Sequence, residues 1–352
     1  MPDWKKSMRQ SFEYYTVDPG TWKDVKKLNT VKSCTISRDL TVATLGSATI
    51  DTTETVGECY VRAYLVTEQE NIVERFPLGT FLVQTPSSTF DGRVLSTTMD
   101  AYTPLLELKE KQPPLGYSIL KGENIMKLAK QLVDENARAP VVGTECTTNI
   151  FKDFVANTDD TWLTFISDFI ANAKYTFALD ELGRILFSPK QEIASLQPVW
   201  TFDDGNSSIL QPTFDIKHDL YKVPNSVEVI YSNGRETYHV KVVNDDENSP
   251  VSIVARGREI PHRVTDPKFS GEPSESQVKE YAESLLKQLS TLEYTVSYTH
   301  GYCPVRIGDC VRIKYPRAGI PDVKAEVLTQ SIKCETSCQV DETARFTMKL
   351  WR

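Results

Sequence analysis

Long apolar runs are missing from this chain of 352 residues. No stretch approaches the roughly 18 consecutive apolar residues that a transmembrane helix needs. The N-terminal stretch MPDWKKSMRQSFEYY also lacks the apolar centre of a secretory signal peptide. These absences predict a protein that does not insert into a membrane. They also predict that it is made and kept in a cytoplasm, or leaves it by a route other than secretion.

A basic face is missing as well. The formal net charge is −8, and acidic and basic residues are mixed along the whole chain. The longest basic cluster stands in DVKKL, residues 24–28. Proteins that bind duplex DNA usually carry a basic face, so the composition argues against specific nucleic-acid binding. The negative sign fits a surface that repels DNA, such as a channel wall, and it fits simple solubility equally well.

Catalytic motifs are also absent. The chain contains no G-x-S-x-G, no P-loop, no H-E-x-x-H and no Rossmann glycine set. The histidines are scattered, and none accompanies a nucleophile motif: His218, His239, His262 and His300. Three carboxylate doublets have the surroundings of turns and helix starts: Asp159-Asp160, Asp203-Asp204 and Asp245-Asp246. Adjacent strand residues point to opposite faces, so a doublet is not the facing pair of a glycosidase. We therefore predict no catalytic residues and no enzymatic activity.

The cysteines do not form a recognisable framework. Seven are spread over the chain, at positions 34, 59, 146, 303, 310, 334 and 338. The spacing of Cys334 and Cys338 fits only the loosest zinc knuckle, and that of Cys303 and Cys310 does not fit one. Reduced structural thiols are the preferred interpretation, while a metal site and a Cys334–Cys338 disulfide stay open. We predict neither a metal nor a cofactor.

Two regions of the chain have β-type patterning. Residues 31–105 contain short runs rich in Thr, Val, Ile and Tyr, and Asp91-Gly92 predicts a hairpin between two of them. The pattern returns after Trp200, where Asn233-Gly234 predicts another hairpin. The chain closes with strands predicted at 291–300, 309–315, 322–333 and 344–351. The stretch THGYCPVRIGDCVRIKYP, residues 299–316, is interpreted as strand, turn and strand, with Val311 and Ile313 on one face.

Helical periodicity occurs in three places. Apolar residues recur with a spacing of three and four at 125–133, at 162–173 and at 278–289. Ser274 with Gln277 predicts a capping box before the last helix. A hairpin follows the second helix, with its turn at residues 180–183. The predicted organisation is therefore a β-rich α+β chain. It has an N-terminal β domain (1–108), a mixed α/β segment with two helices and a hairpin (109–199) and a C-terminal β-rich domain with one inserted helix (200–352).

The order of these patterns resembles the baseplate hub proteins of contractile phage tails. This late-control D family is related to the N-terminal part of type VI secretion spike proteins and to tail-associated proteins of long tails. The matching stretches are DTWLTFISDFIANAKYTFALDELGRILFSP, VPNSVEVIYSNG, VKEYAESLL and GYCPVRIGDCVRI, with LGTFLVQTPSSTFDGRVLSTTMDAYTPL near the N-terminus. Each motif alone is a hydrophobic pattern with a turn, so the order and spacing carry the resemblance, from about residue 30 onward.

The resemblance implies a structural protein of the virion tail baseplate, assembled in the cytoplasm of a bacterial host. Family members form homotrimers in which each subunit contributes two tube-like β-barrel domains. The resulting ring is pseudo-hexameric, adapts the sixfold tail tube to the threefold central spike and lets DNA pass through its lumen. The implied partners are the tail tube or distal tail protein, the central spike protein and the tape-measure protein. The family supplies no catalytic residue for this part of the chain.

Other classes of protein stay open. One is the N-terminal hub portion of a tail-associated protein from a non-contractile tail, which predicts the same fold and the same trimer. We favour the contractile tail because we expect no long receptor-binding or lytic extension after the last strand. A cell-wall-degrading enzyme with β-modules would need two placed carboxylates or a metal site. A monomeric β-rich adhesin or carbohydrate-binding module is the remaining alternative.

Overall fold

A computed structural model describes residues 2–54, 56–218, 220, 223–232, 236–267, 269 and 272–349. Strands make up 46% of the structure and helices 15%. The predicted β-rich α+β class is therefore confirmed. Among the residues described, no helix is both long enough and apolar enough to cross a membrane.

The strands are numbered in chain order. They are β1 (Arg9–Val17), β2 (Asp24–Leu28), β3 (Val31–Asp39), β4 (Gly46–Thr52), β5 (Tyr60–Gln69), β6 (Ile72–Phe90), β7 (Leu95–Tyr102), β8 (Ser118–Ile119), β9 (Phe154–Val155), β10 (Tyr175–Leu179), β11 (Ile185–Pro189), β12 (Trp200–Asp203), β13 (Leu210–His218), β14 (Ser226–Ser232), β15 (Thr237–Val243), β16 (Pro261–Thr265), β17 (Thr291–Gly301), β18 (Cys310–Tyr315), β19 (Ile320–Lys333) and β20 (Gln339–Lys349). The helices are α1 (Leu106–Glu110), α2 (Ile125–Asn136), α3 (Trp162–Ala171), α4 (Ile253–Arg256) and α5 (Glu275–Leu289).

The chain divides into two compact units. Unit 1 comprises Met1–Phe214 and Tyr298–Thr343, and unit 2 comprises Asp215–Ser297 and Ala344–Arg352. The mixed α/β segment is part of unit 1. The division into 1–108, 109–199 and 200–352 stays a prediction.

A large sheet brings strands from the two ends of the chain together. Its strand order is β13-β17-β20-β19-β3-β4-β7-β6-β5-β1-β2, and β18 pairs with β19 and with β12. The pairing of β19 with β3 is antiparallel and runs from Thr329 opposite Asp39 to Lys333 opposite Thr35. Alternate residues of neighbouring strands face the core of unit 1, as Ile36, Ile50 and Met99 do. Strands far apart in sequence therefore share one core.

The mixed segment has a core of its own. Helices α2 and α3 and the β10–β11 hairpin pack around Phe165 and Phe169, so the predicted helices and hairpin are confirmed. The second helix ends at Ala171 instead of 173. The side-chain amide of Asn172 donates to the carbonyl of Phe169 there, and Lys174 turns the chain with a left-handed φ of 62°.

Unit 2 contains a three-stranded sheet covered by α5. Strand β14 pairs with β15 antiparallel and with β16 in parallel. Val278, Ala282 and Leu286 of the helix pack on the valines of the sheet. The helix begins with the predicted capping box of Ser274 and Gln277. The predicted turn at Asn233-Gly234 lies outside the described residues, although the strands on either side of it do pair.

Candidate assembly surface

The residue types that often carry catalysis are spread over the described part of the chain. Three histidines are exposed (His218, His239 and His262), and His300 is fully buried. The carboxylate doublets stand in turns or loops, apart from Asp203, which is the last residue of β12. Asp203 accepts the backbone N–H of Gly205 at 2.9 Å, and Asp246 accepts that of Asn248 at 2.9 Å. Among the described residues, no group of three or more His, Cys, Asp and Glu side chains is placed to hold a metal ion.

All seven cysteines are free thiols, including Cys334 and Cys338. Most of them are buried in the strands and turns of unit 1. Burial raises the pKa of the Cys338 thiol, and it raises the pKa of Cys303 well above its ordinary value. Protonated, buried thiols of this kind act as small apolar side chains.

The stretch 299–316 does form strand, turn and strand. Gly308 adopts a left-handed φ of 83° at the turn, and Val311 and Ile313 are buried in β18 while Arg312 is exposed. The histidine at the start of this stretch, His300, packs against an aromatic ring. His300 lies against Phe202, with their ring centroids 4.7 Å apart.

His300 belongs to a buried polar cluster, defined here as Arg38, Tyr298, His300, Gln330 and Glu342. The Glu342 carboxylate is in contact with three polar side chains. The Tyr298 hydroxyl donates at 2.5 Å, the Gln330 amide at 2.7 Å, and the His300 Nε2 atom lies at 3.3 Å. The Arg38 guanidinium donates to the other end of the Gln330 amide at 3.1 Å.

Sequence reasoning missed this buried polar cluster. Glu342 occupies an inward position in β20, whose neighbouring inward residues Val340, Ala344 and Phe346 are apolar. A carboxylate among the inward apolar residues of a strand is the feature of the sequence that could have indicated the cluster. Its partners could not be named from the local pattern, because they come from β17 and β19.

Strand β6 is exposed at its end, over residues 86–90. Its first half pairs with β5 and its second half with β7, and the two pairings overlap at Leu82. The neighbouring strand β4 ends opposite Thr97, so β6 and β7 continue as a ribbon of two strands over residues 89–96. Its residues are exposed on both faces apart from the half-buried Leu95, and Phe90 and Val94 are 65% and 44% exposed. We call residues 86–96 the β6–β7 arm.

The β6–β7 arm offers a free backbone edge. Residues 86–90 of β6 have no strand partner on the side away from β7 among the described residues. In the first half of β6, the Arg38 guanidinium donates to the carbonyl of Leu78 at 2.7 Å. An unpaired strand edge is a template for pairing with another chain.

The two end strands of the large sheet, β2 and β13, carry features that hinder pairing with another strand. Edge strand β2 carries Lys26 and Lys27, which pair with Glu54 and Glu13. Edge strand β13 contains Pro212, which cannot donate to a ladder. Charged residues and proline are the usual means of blocking an edge. The β6–β7 arm, in contrast, has an open edge with exposed apolar side chains.

Comparisons with known proteins identify the fold. No family model and no curated protein matches the sequence. The tail protein from Neisseria meningitidis MC58 is similar in structure, with a TM-score of 0.62 and 11% identity, over 97% of this chain and 98% of that chain. The 43 kDa tail protein of prophage MuSo2 from Shewanella oneidensis gives a TM-score of 0.60 and 9% identity, over 95% and 97%.

A protein of the Francisella PdpA–VgrG complex is similar as well. Its TM-score is 0.52 at 7% identity, over 98% of this chain and 53% of that chain. The resemblance seen in the sequence is thereby confirmed at the level of the fold. This chain has the fold of phage tail proteins, which a protein of a VgrG complex shares.

Proposed function

We propose that this protein is a structural baseplate hub of a phage-type tail. The observation that carries the proposal is the end-to-end match of the fold. Two tail proteins align with 97% and 95% of this chain and with nearly all of their own length. A match of this extent leaves little of the chain for a different task. The role is therefore mechanical, in the tail of a virion or a related contractile injection particle.

The hub acts as a homotrimer that changes the symmetry along the tail. Three subunits that each contribute two similar β regions present six such regions around one axis. Such a ring offers six equivalent positions to the tail tube or distal tail protein and three to the central spike protein. The tape-measure protein and the DNA pass through the lumen. The net charge of −8 suits this passage, since negative walls do not retain DNA.

The β6–β7 arm supports the trimer. Its open edge can pair with a strand of the next subunit, and its exposed Phe90 and Val94 become buried in that contact. A head-to-tail contact of this kind closes into a ring when the rotation between subunits divides a full turn. A two-stranded ribbon is marginally stable alone in water, so docking on a neighbour also stabilises the arm.

The mass in solution tests the trimer. One subunit has a mass of 39.8 kDa, and light scattering on the purified protein is expected to give three times that value. A single-subunit mass at micromolar concentration contradicts the trimer.

A zymogram on bacterial cell walls tests the structural role against the wall-degrading alternative. We expect no clearing at loads where a lysozyme standard clears the gel. Clearing that is retained by the purified protein would overturn the purely structural assignment.

A further inference from the structure

Two buried thiols face each other at the end of the pairing between β3 and β19. The antiparallel register places Lys333 opposite Thr35, and the next step along both strands brings Cys334 opposite Cys34. The backbone N–H of Cys334 donates to the carbonyl oxygen of Cys34 at 2.9 Å, so the ladder continues to this pair. Only 2% of Cys34 and 6% of Cys334 is exposed. Both side chains belong to the same core of unit 1.

The geometry of such a facing pair suits a disulfide. In a hydrogen-bonded antiparallel pair the two Cα atoms are about 5.5 Å apart, and both side chains lie on the same face of the sheet. Disulfides join residues whose Cα atoms are about 4.4–6.8 Å apart. The two sulfur atoms can therefore be joined with little movement of the backbone. The neighbouring thiol of Cys334, and then burial, raises the pKa of Cys34 well above its ordinary value, as expected of thiols in contact.

We propose that Cys34 and Cys334 form a reversible disulfide that joins β3 to β19 when the protein meets a low-molecular-weight disulfide such as oxidised glutathione. One cysteine, as its thiolate, attacks the oxidant and releases a small thiol, and the second cysteine then displaces the other small thiol. The bond between the two cysteine sulfurs forms, and the sulfur–sulfur bond of the oxidant breaks. The two cysteines are oxidised, the oxidant is reduced, and the two cysteine protons end on the released thiols.

The place of the pair at the end of β19 gives the oxidant access. The strand ends at Lys333, and residues 335–337 form an exposed turn directly after Cys334. Strand ends and turns open at a lower free energy than the middle of a sheet. Because the thiolate is the reactive form, burial slows the exchange without preventing it. The pair therefore stays reduced in a reducing cytoplasm and becomes oxidised gradually outside one.

A third buried thiol, Cys338, competes for Cys334. It lies beyond the exposed turn, and its backbone N–H donates to the carbonyl oxygen of Glu335 at 2.8 Å. Burial raises the pKa of Cys338, and Cys334 adds to this effect. Cys34 is the favoured partner because its backbone is already paired with that of Cys334. A bond between Cys334 and Cys338 would close only the turn between them.

The disulfide between Cys34 and Cys334 locks the core of unit 1. The two cysteines come from opposite ends of the chain, and a cross-link between distant positions restricts the unfolded chain strongly. The oxidised protein is therefore expected to resist unfolding better than the reduced protein. In the function proposed above, the particle leaves the cytoplasm of its host, so the lock forms after release. This last consequence rests on the proposed function, whereas the disulfide itself does not.

Peptide mapping of the folded wild-type protein tests the pairing. The protein is incubated with oxidised glutathione without denaturant, the remaining thiols are alkylated, and trypsin is added. Trypsin cleaves after lysine and arginine, so Cys34 falls in peptide 33–38, while Cys334 and Cys338 share peptide 334–345. We expect these two peptides to be linked and to separate on addition of dithiothreitol. Peptides that stay unlinked, or a bond confined to peptide 334–345, would overturn the proposal.

A second digestion assigns the bond on the shared peptide without any substitution. A protease that cleaves after glutamate separates Cys334 from Cys338 at Glu335. We expect the fragment that contains Cys334 to stay attached to peptide 33–38. Attachment of the fragment that contains Cys338 would overturn the pairing of Cys34 with Cys334.

Thermal unfolding of the oxidised and the reduced protein measures the lock. We expect oxidation to raise the melting temperature of the wild type by about 5–10 °C, and dithiothreitol to reverse the rise. Cys34→Ala should show no rise, and Cys303→Ala, which removes a buried thiol outside the pair, is the matched control and should keep it. An oxidised wild type that melts with the reduced protein would overturn the lock. The mass in solution tests the trimer separately, so the two proposals can fail independently.

Discussion

The guanidinium of Arg62 lies 2.8 Å from the carboxylate of Asp24, although only 4% of the Arg62 residue is exposed. Its other nitrogens donate to the Thr80 hydroxyl at 2.8 Å and to the carbonyl of Leu182 at 3.1 Å. Leu182 stands in the turn of the β10–β11 hairpin. One arginine therefore connects the large sheet of unit 1 to the mixed α/β segment.

Asp24→Asn is expected to destabilise unit 1 by about 2–3 kcal/mol, because it leaves the buried guanidinium without its counter-ion. Chemical denaturation measures the change. The matched control is Asp134→Asn, which breaks the exposed ion pair with Lys130 and should cost about 0.3–0.5 kcal/mol. Equal effects of the two variants would show that the buried pair contributes no more than a surface pair.

Phe169→Ala is expected to cost about 3–5 kcal/mol, because this fully buried ring fills the core of the mixed segment. Phe151→Ala is the matched control, since the ring of Phe151 is 77% exposed and its removal leaves no cavity. Thermal or urea unfolding measures both. A large loss for Phe151→Ala would mean that its ring is buried in the assembled protein.

We predict that the hydrogen bonds of Asp51 stabilise the protein at neutral pH and that this stabilisation is lost in acid. The Ser33 hydroxyl donates to one carboxylate oxygen at 2.5 Å and the Thr98 hydroxyl to the other at 2.6 Å, and these bonds lower the pKa of Asp51. The stabilisation is present above the pKa of an aspartate in the unfolded chain, which is about 4. It is lost as the pH falls through the lower pKa that Asp51 has in the folded protein. Ser33→Ala should therefore destabilise the protein at pH 7 and have a smaller effect at pH 2–3.

Ser88→Ala is the control for this pH dependence. The Ser88 hydroxyl is bonded to the Thr97 hydroxyl, which does not titrate. Its effect on the free energy of unfolding should be the same at both pH values. A pH-independent effect of Ser33→Ala would contradict the account of Asp51.

The double substitution Phe90→Ser and Val94→Ser is expected to lower the mass in solution toward that of a monomer. It removes apolar contact from the β6–β7 arm, while the fold, measured by circular dichroism, stays intact because both residues are exposed. Ile72→Ser with Val73→Ser is the matched control, since these residues are each 63% exposed at the opposite end of β6. Trimers that tolerate the first pair as well as the second would exclude the arm from the interface.

Local patterns in the sequence predicted the helices and many of the strands, but not β1 and β2 and not which strands pair. Helices α2, α3 and α5 follow from apolar residues three and four apart, and Asp91-Gly92 does connect β6 to β7. The pairing of β3 with β19 joins residues some three hundred positions apart, and no local pattern encodes it. The open edge of β6 arises because its partner β5 extends only to Tyr60, opposite Leu82. Glu342 likewise becomes intelligible only when the donors on β17 and β19 are in place.

Electron microscopy of negatively stained particles, viewed along their symmetry axis, tests the central proposal most directly. The hub account predicts a ring of three subunits around an axial hole, with six β regions surrounding the lumen. A compact particle without a hole, or a ring whose subunit number is not three, would contradict it.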